Sequence, residues 1–514
     1  MSPPTETPRP RWSLLIAAWA GCALLLGLHT VAVRDYLAFV DGVGRRAEAT
    51  ATTPLRQFVP ARFSDAQMWV RHTLTARESG VARVRFTDTD NAPQGRAVHW
   101  SSGFRWLLAG AGSVRAAATG EPPIVALERA LLWLNAPLLL TLIIVLSAWI
   151  ARRAGTVAGA LVAAGMVGLP RFHDNFTPMN ADHHGLIAAA LLGLLLGLAG
   201  MGAGWWQPAG GPRPPFLPLS REQARAAAIF SAICGAIGMA ISAASTIPAI
   251  AIVGVAGLAA TWWAGPEAAT AGARFEPAVW RCWGRVGGAL SAVFYLCEYA
   301  PAHLGWRLEV NHPLYALAWW GGAELVALLG ARHEQDDRAT KSITRLALPI
   351  LAVFAPLVII LVGGTAVFAL RDPFIGDLRH FVIEGQTLPT VLRRIGARPL
   401  LPDLALFCVV ISATVVLFRS RGTTRLMLAF LLATNAAWAA LTFAEIRWMM
   451  ALSVAQLVLF VTLLLLPIRT ASHGWRFALV GAVVLAVAAV GIARVATERD
   501  KIARRWLADD DVRQ

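Results

Sequence analysis

The chain is short of charge, of lysine and of paired cysteines. Charged residues make up 15% of its 514 positions, against roughly 25% in an average soluble domain, which excludes an ordinary soluble enzyme. Lysine occurs only at Lys341 and Lys501, so the net charge of +15 is carried by arginines scattered through short loops. With no basic face or tail, nucleic acid is a poor partner, and anionic lipid headgroups or phosphate-bearing substrates are better ones. The five cysteines, Cys22, Cys234, Cys282, Cys297 and Cys408, lie in or beside apolar segments without paired spacing. They read as small core residues, not as disulfides or a metal cage. No repeat with a period of about 20 to 50 residues is present.

Apolar residues are abundant, at 56% of the chain, and they come in runs of about 18 or more, the length that crosses a bilayer. The first run, 13–33, follows a polar head with Arg9 and Arg11 and is too long for a cleaved signal peptide. It is expected to be an uncleaved first transmembrane helix behind a cytoplasmic segment 1–12. Further spans are expected near 131–150, 154–170, 184–204, 226–244, 247–264, 282–298, 313–331, 346–370, 403–418, 426–443, 448–467 and 477–495, about thirteen in all. The sequence thus predicts an all-α integral membrane protein. Its first loop, 34–123, is large and polar with short amphipathic stretches; a transmembrane bundle fills 124–495 and a tail follows at 496–514.

Short loops carrying Arg152 and Arg153, Arg213, Arg221 and Arg225, Arg332 to Arg345, Arg419 to Arg425, and Arg469 and Arg476 are cytoplasmic by the positive-inside rule. The loops 34–123, 171–183, 299–312 and 371–402 and the turn 444–447 then lie on the outer side, rich in ionisable groups and able to converge on one site.

Among those groups, Asp182-His183-His184 meets the start of an apolar helix. Asp and His two residues apart can offer a carboxylate oxygen and an imidazole nitrogen to one divalent ion; the alternative is a polar cluster in which Asp182 caps the helix. Asp65 by itself reads as a solvated loop carboxylate. Glu384, in a loop with Arg371, Arg379, His380, Arg393, Arg394 and Arg398, reads as an ion-pair partner before a catalyst. Arg447 either snorkels to the interface or aims its planar fork at a phosphate. The stretch from Glu298 and Tyr299 through Trp306, Arg307, Glu309, Asn311 and His312 is dense in polar groups and looks built for contact, but names no reaction.

Taken together, these residues resemble the multi-spanning catalytic subunit of archaeal and bacterial oligosaccharyltransferases, within the C-type (GT-C) fold of membrane glycosyltransferases. Asp65-x-x-x-Trp69-x-Arg71 resembles the family's first outer-loop signature, and Asn91-Ala-Pro93-Gln-Gly95 to His99-Trp100 is similar to its Asn-x-Pro-x-Gly and His-Trp stretch. Asp182-His183-His184 matches the second motif in its Asp-His-His form, Glu384-Gly-Gln386-Thr-Leu388 resembles the fifth-loop glutamate motif, and Arg447 stands where the family keeps an arginine near the lipid pyrophosphate. The sequence departs from the pattern at Phe381, where the family has Ser or Thr, and it contains no Trp-Trp-Asp.

The resemblance implies transfer of a sugar or oligosaccharide from a polyprenyl-phosphate or polyprenyl-pyrophosphate carrier to an acceptor on the outer face of a bacterial or archaeal cytoplasmic (inner) membrane. It implies a divalent metal, Mg or Mn, on Asp65, Asp182, His184 and Glu384, with Asp65, Glu384 and Arg447 catalytic. Substrate contacts are expected at Arg71, His99, Trp100, His183, Glu309, His312 and Arg447. Because the sequence ends at Gln514 without the family's sequon-reading motif, a glycolipid, polysaccharide or other membrane-associated acceptor is expected over a sequon peptide. The alternatives are protein N-glycosylation with acceptor recognition supplied elsewhere, and a transporter or flippase of lipid-linked glycans. The near absence of Asp, Glu and Lys from the spans disfavours a transporter.

Overall fold

The computed structural model describes residues 10–48, 64–88, 93–98, 100–208, 213–331, 343–369, 377, 381–397, 400, 406–468, 481–482, 485–497 and 500. The first helix, α1 (Trp12–Glu48), continues well past the expected span 13–33. After the apolar run, Arg34–Glu48 contains few helix breakers, so the helix ends later than the apolar signal does.

The first loop holds α2 (Ser64–Glu78), a two-stranded antiparallel ribbon of β1 (Phe86–Thr87) and β2 (Arg96–Ala97), and α3 (Gly103–Thr119), which ends on Gly120 in a left-handed conformation. Next come α4 (Pro123–Ala154), α5 (Thr156–Gly168), the single turn α6 (Pro170–His173), α7 (His184–Gly200), α8 (Arg221–Ile241), α9 (Ala243–Thr270), α10 (Pro277–Tyr299), α11 (Pro313–Ala331) and α12 (Ile343–Gly363). A second ribbon pairs β3 (Trp205–Trp206) with β4 (Arg274–Phe275). Last are α13 (Leu388–Ile395), α14 (Phe407–Arg419), α15 (Gly422–Ala444), α16 (Met449–Ile468) and α17 (Leu485–Thr497).

Among the described residues nine helices are long and apolar enough to cross a membrane: α1, α4, α7, α8, α9, α11, α12, α15 and α16. The shorter apolar helices α5, α14 and α17 stand at the expected spans 154–170, 403–418 and 477–495. At the expected span 282–298 stands α10, which carries Arg281 and Arg285 in its first half. The continuous apolar stretch 226–264 is broken at Ser242, whose extended backbone separates α8 from α9.

The bundle is organised around α7, apolar on every face and 94% buried over its spanning window, as a central helix must be. Gly193 and Gly197 lie one turn apart on it, and Cβ atoms there would come within 2.4 Å of Cys234 and 2.5 Å of Ser231. That spacing of small residues lets α8 approach closely. Ser231 then donates to the Leu194 carbonyl at 2.8 Å and accepts from the Trp283 indole at 3.1 Å, tying α7, α8 and α10 together. By contrast α12 is only 6% buried over its window and lines the periphery.

One end of the bundle is tied by arginines: Arg153 donates to the Gln223 carbonyl at 2.7 Å, and Arg221 pairs with Glu276 at 3.0 Å and Arg425 with Glu267 at 2.8 Å. Over the other end, α2 and α3 form a second, smaller apolar core. Trp69, Val70, Phe104 and Leu108 pack there against Val33 of α1, Leu127 and Leu131 of α4, and Met179 and Ala181 of the loop before α7. The same layer is clamped by Glu298 at the end of α10. Its Oε1 accepts from Arg85 Nη2 at 2.8 Å, from the Ser102 amide at 3.1 Å and from the Ser102 hydroxyl at 2.8 Å.

Candidate metal centre and active site

The segment leading into α7 is held from both sides. Asn135 of α4 donates through its Nδ2 to the carbonyls of Thr177 and Asn180 at 2.9 and 2.7 Å, and the Met179 amide donates to the Leu131 carbonyl at 3.2 Å. Met179 adopts φ 69°, a left-handed conformation that costs a side-chain-bearing residue about 1 kcal/mol or more and persists only where its surroundings enforce it. The result is a fixed entry to α7 at Asp182, His183 and His184.

Both imidazoles turn toward the one carboxylate. His184 Nδ1 lies 2.5 Å from Asp182 Oδ2, and His183 Nδ1 lies 2.9 Å from Asp182 Oδ1. The two rings stack with centroids 4.8 Å apart. Donor atoms of all three residues fall within 4.8 Å of one another, the group of acids, histidines or cysteines among the described residues that could hold a metal ion. Asp182 does not cap the helix: His183 occupies the N-cap position and no side chain caps it.

Burial pushes the Asp182 carboxyl up, and the His183 and His184 imidazoles more than offset this, so it sits well below the usual carboxylate range and is ionised at neutral pH. Its Oδ1 is buried, with His183 Nδ1 2.9 Å away. An ionised carboxylate flanked by two imidazoles within 4.8 Å fits a divalent cation, and His184, a third exposed, leaves the group open on one side.

The α2–α3 layer reaches this group through Trp69, whose indole meets the His183 ring edge-on with centroids 5.2 Å apart and also packs on Phe104 and Trp100. Trp100 is half-buried, with the Arg96 guanidinium 4.9 Å over its ring. Asp65 lies on α2 one turn before Trp69 and thus on the same face of that helix. Its side chain lies outside the described residues, as do His99 and the loop arginines 371, 379 and 398 with His380. Arg71, two positions from Trp69, is exposed.

Glu384 sits exposed in the turn Ile383–Gly385 and is not part of the three-residue group. Its segment is joined to the Arg447 turn, since the Gln386 carbonyl accepts from the Ile446 amide at 2.9 Å. Arg447 pairs with Glu445 at 2.7 Å and lies 5.0 Å over the Trp448 ring. The loop 299–312 is braced by α10, α11 and the segment after α12: Asn311 Nδ2 donates to the Ser291 carbonyl at 2.8 Å, the Tyr315 hydroxyl donates to the Leu308 carbonyl at 2.5 Å, and the Leu308 amide donates to the Val367 carbonyl at 2.8 Å. His312 uses one ring nitrogen on the Gly305 carbonyl at 3.1 Å and accepts from the Leu314 amide with the other at 3.2 Å. Glu309 Oε1 accepts from the Ala369 amide at 3.4 Å and lies 3.5 Å from Arg307; its Oε2 is buried without a hydrogen bond.

One feature of the group escapes the sequence reading. His183 joins the metal-competent group, which spacing assigned to Asp182 and His184 alone. Glu298, in the stretch whose sequence looks built for contact, clamps the α2–α3 layer through Arg85 and Ser102.

No protein-family model matches the chain, and no curated protein does. Among solved structures it is similar to the archaeal oligosaccharyltransferase AglB from Archaeoglobus fulgidus in complex with an inhibitory peptide and a dolichol-phosphate. The two share 16% identity with a TM-score of 0.58, over 94% of this chain and 56% of that one. The same organism's oligosaccharyltransferase tethered to an acceptor peptide containing the NVT sequon gives 14% identity and a TM-score of 0.58, over 95% and 55% of the chains. Its complex with Zn and sulfate gives 17% and 0.52, over 84% and 48%. The chain therefore spans about half the length of these structures and shares their fold, that of the multi-pass C-type membrane glycosyltransferases.

Proposed function

We propose that the chain is a glycosyltransferase that takes a sugar or oligosaccharide from a polyprenyl-phosphate or polyprenyl-pyrophosphate carrier and transfers it to a membrane-associated acceptor, a glycolipid or growing polysaccharide, on the extracytoplasmic face. The observation that carries this is the Asp182-His183-His184 group, set at the end of the bundle that α2 and α3 cover. The likeness in fold to an enzyme solved with dolichol-phosphate, and with Zn and sulfate, supports a lipid-linked donor and a divalent cation. The arginines at the opposite end support an outward orientation of the site.

Asp182, His183 and His184 hold the cation, with Asp65 and Glu384 contributing carboxylates from the two flanking segments. With imidazoles in the set, Mn is favoured over Mg. When bound, the cation supplies positive charge beside the departing phosphate. Arg447 approaches the same phosphate, its guanidinium oriented by Glu445 and by the face of Trp448. Asp65 and Glu384 orient the acceptor nucleophile, and one of the two takes its proton. Phe381, Val382 and Ile383, exposed immediately before Glu384, support a lipid-bearing substrate, because apolar side chains lose water against acyl chains.

The test uses the purified chain with labelled lipid-linked donor and two acceptors, a glycolipid and a fluorescent Asn-x-Thr peptide. Transfer to the glycolipid is expected. Efficient, Thr-dependent glycosylation of the asparagine by this chain alone overturns the acceptor assignment. Failure with every acceptor, while donor is moved across vesicles, overturns the transferase in favour of a flippase.

A further inference from the structure

At the end of the bundle opposite the candidate active site, a cleft of about 280 Å³ lies between α8 and α10, lined by Arg221, Arg225, Arg281 and Arg285 with Val279 and Val286. The arginines come in two pairs spaced by four residues, so each pair shares one face of its helix, and both faces meet in the same cleft. Like charges at that spacing repel, so two such pairs facing one space call for a counter-charge.

Part of it is present. Arg221 pairs with Glu276 at 3.0 Å, and Arg281 makes a two-toothed contact with Glu324 at 2.9 Å. Arg225 and Arg285 have no carboxylate partner among the described residues and are exposed. They sit about 6 Å and 12 Å along their helices from the first residue, deep enough to enter the headgroup region of a bilayer. A charge at that depth is expensive without an anion. The cleft suits a phosphodiester with its neighbouring ester groups, with the valines against the start of the acyl chains.

From this arrangement we infer that the cleft binds the headgroup of an anionic membrane lipid carrying two phosphates, whose double negative charge matches Arg225 and Arg285. The site is separate from the transfer chemistry proposed above and stands whether or not that chemistry is right.

The experiment is native mass spectrometry of the delipidated full chain, titrated with cardiolipin, phosphatidylglycerol or phosphatidylcholine, with inorganic pyrophosphate as the soluble arm. Cardiolipin is expected to bind the wild type at least about tenfold more tightly than phosphatidylcholine, with phosphatidylglycerol between them. R225Q/R285Q should lose that preference, R225K/R285K should keep most of it, and R419Q, a control at the same end, should be unchanged. Equal cardiolipin binding by the wild type and R225Q/R285Q overturns the site. Pyrophosphate binding that matches cardiolipin's and is lost in R225Q/R285Q overturns the lipid as its ligand. If R225Q/R285Q fails to fold, R225K/R285K and each single glutamine variant carry the same comparison, and undiminished binding in both single variants overturns the proposal.

Discussion

The indole of Trp69 meets the imidazole of His183 edge-on with centroids 5.2 Å apart, so the helix that carries Asp65 is anchored directly on the metal-competent group. Trp69 is 3% exposed in a core shared by α1, α2, α3 and α4. Trp69→Ala removes a buried aromatic and should cost about 3–5 kcal/mol. It should also lower transfer by at least about tenfold through loss of positioning, with Trp69→Phe much milder. Thermal unfolding and turnover in one detergent preparation check both; unchanged turnover in Trp69→Ala would detach α2 from the site.

Glu298 is the second anchor of the α2–α3 layer. Glu298→Ala leaves Arg85 and Ser102 without their shared acceptor and should destabilise the layer by up to about 3 kcal/mol, less than a fully buried pair because both side chains keep some solvent. Hydrogen exchange at the amides of α3 should accelerate in Glu298→Ala, while those of α7 stay protected. Equal protection of α3 in both proteins would remove the clamp from the account.

Burial lowers the His312 pKa, with the hydrogen bond to the Gly305 carbonyl offsetting only part of the effect. The unfolded chain therefore takes up its proton first as pH falls. Stability from this residue is present above about pH 6.5, the ordinary imidazole value, and is lost as pH falls from there toward the folded pKa. His173, also lowered by burial, adds to the same slope. The melting temperature should drop between neutral pH and pH about 5, and His312→Gln should flatten the drop; an identical slope in the variant would contradict the assignment.

Much of this was legible in the sequence because the bilayer demands long apolar runs and because Asp182-His183-His184 is contiguous. Helix ends were less so. The helix α1 outlasts its apolar run to Glu48, and the break at Ser242 lies inside a continuous apolar stretch, since hydropathy reports solvent and not backbone conformation. Glu298 depends on partners about two hundred positions away, Arg85 and Ser102, which no local pattern announces. The resemblance implies only a substrate contact for His183; at the entry to α7 the backbone turns, and both imidazoles reach the one carboxylate.

The most direct measurement of the central claim is turnover of a polyprenyl-linked donor by the purified chain after chelation, with Mn or Mg added back, in the wild type and in Asp182→Ala. Removing a carboxylate from the cation's immediate ligands should cost at least about 100-fold, with His184→Ala milder and partly rescued by excess metal. Wild-type activity should vanish on chelation and return with Mn. Turnover that survives chelation, or is unaffected by Asp182→Ala, would contradict metal-dependent glycosyl transfer at this site.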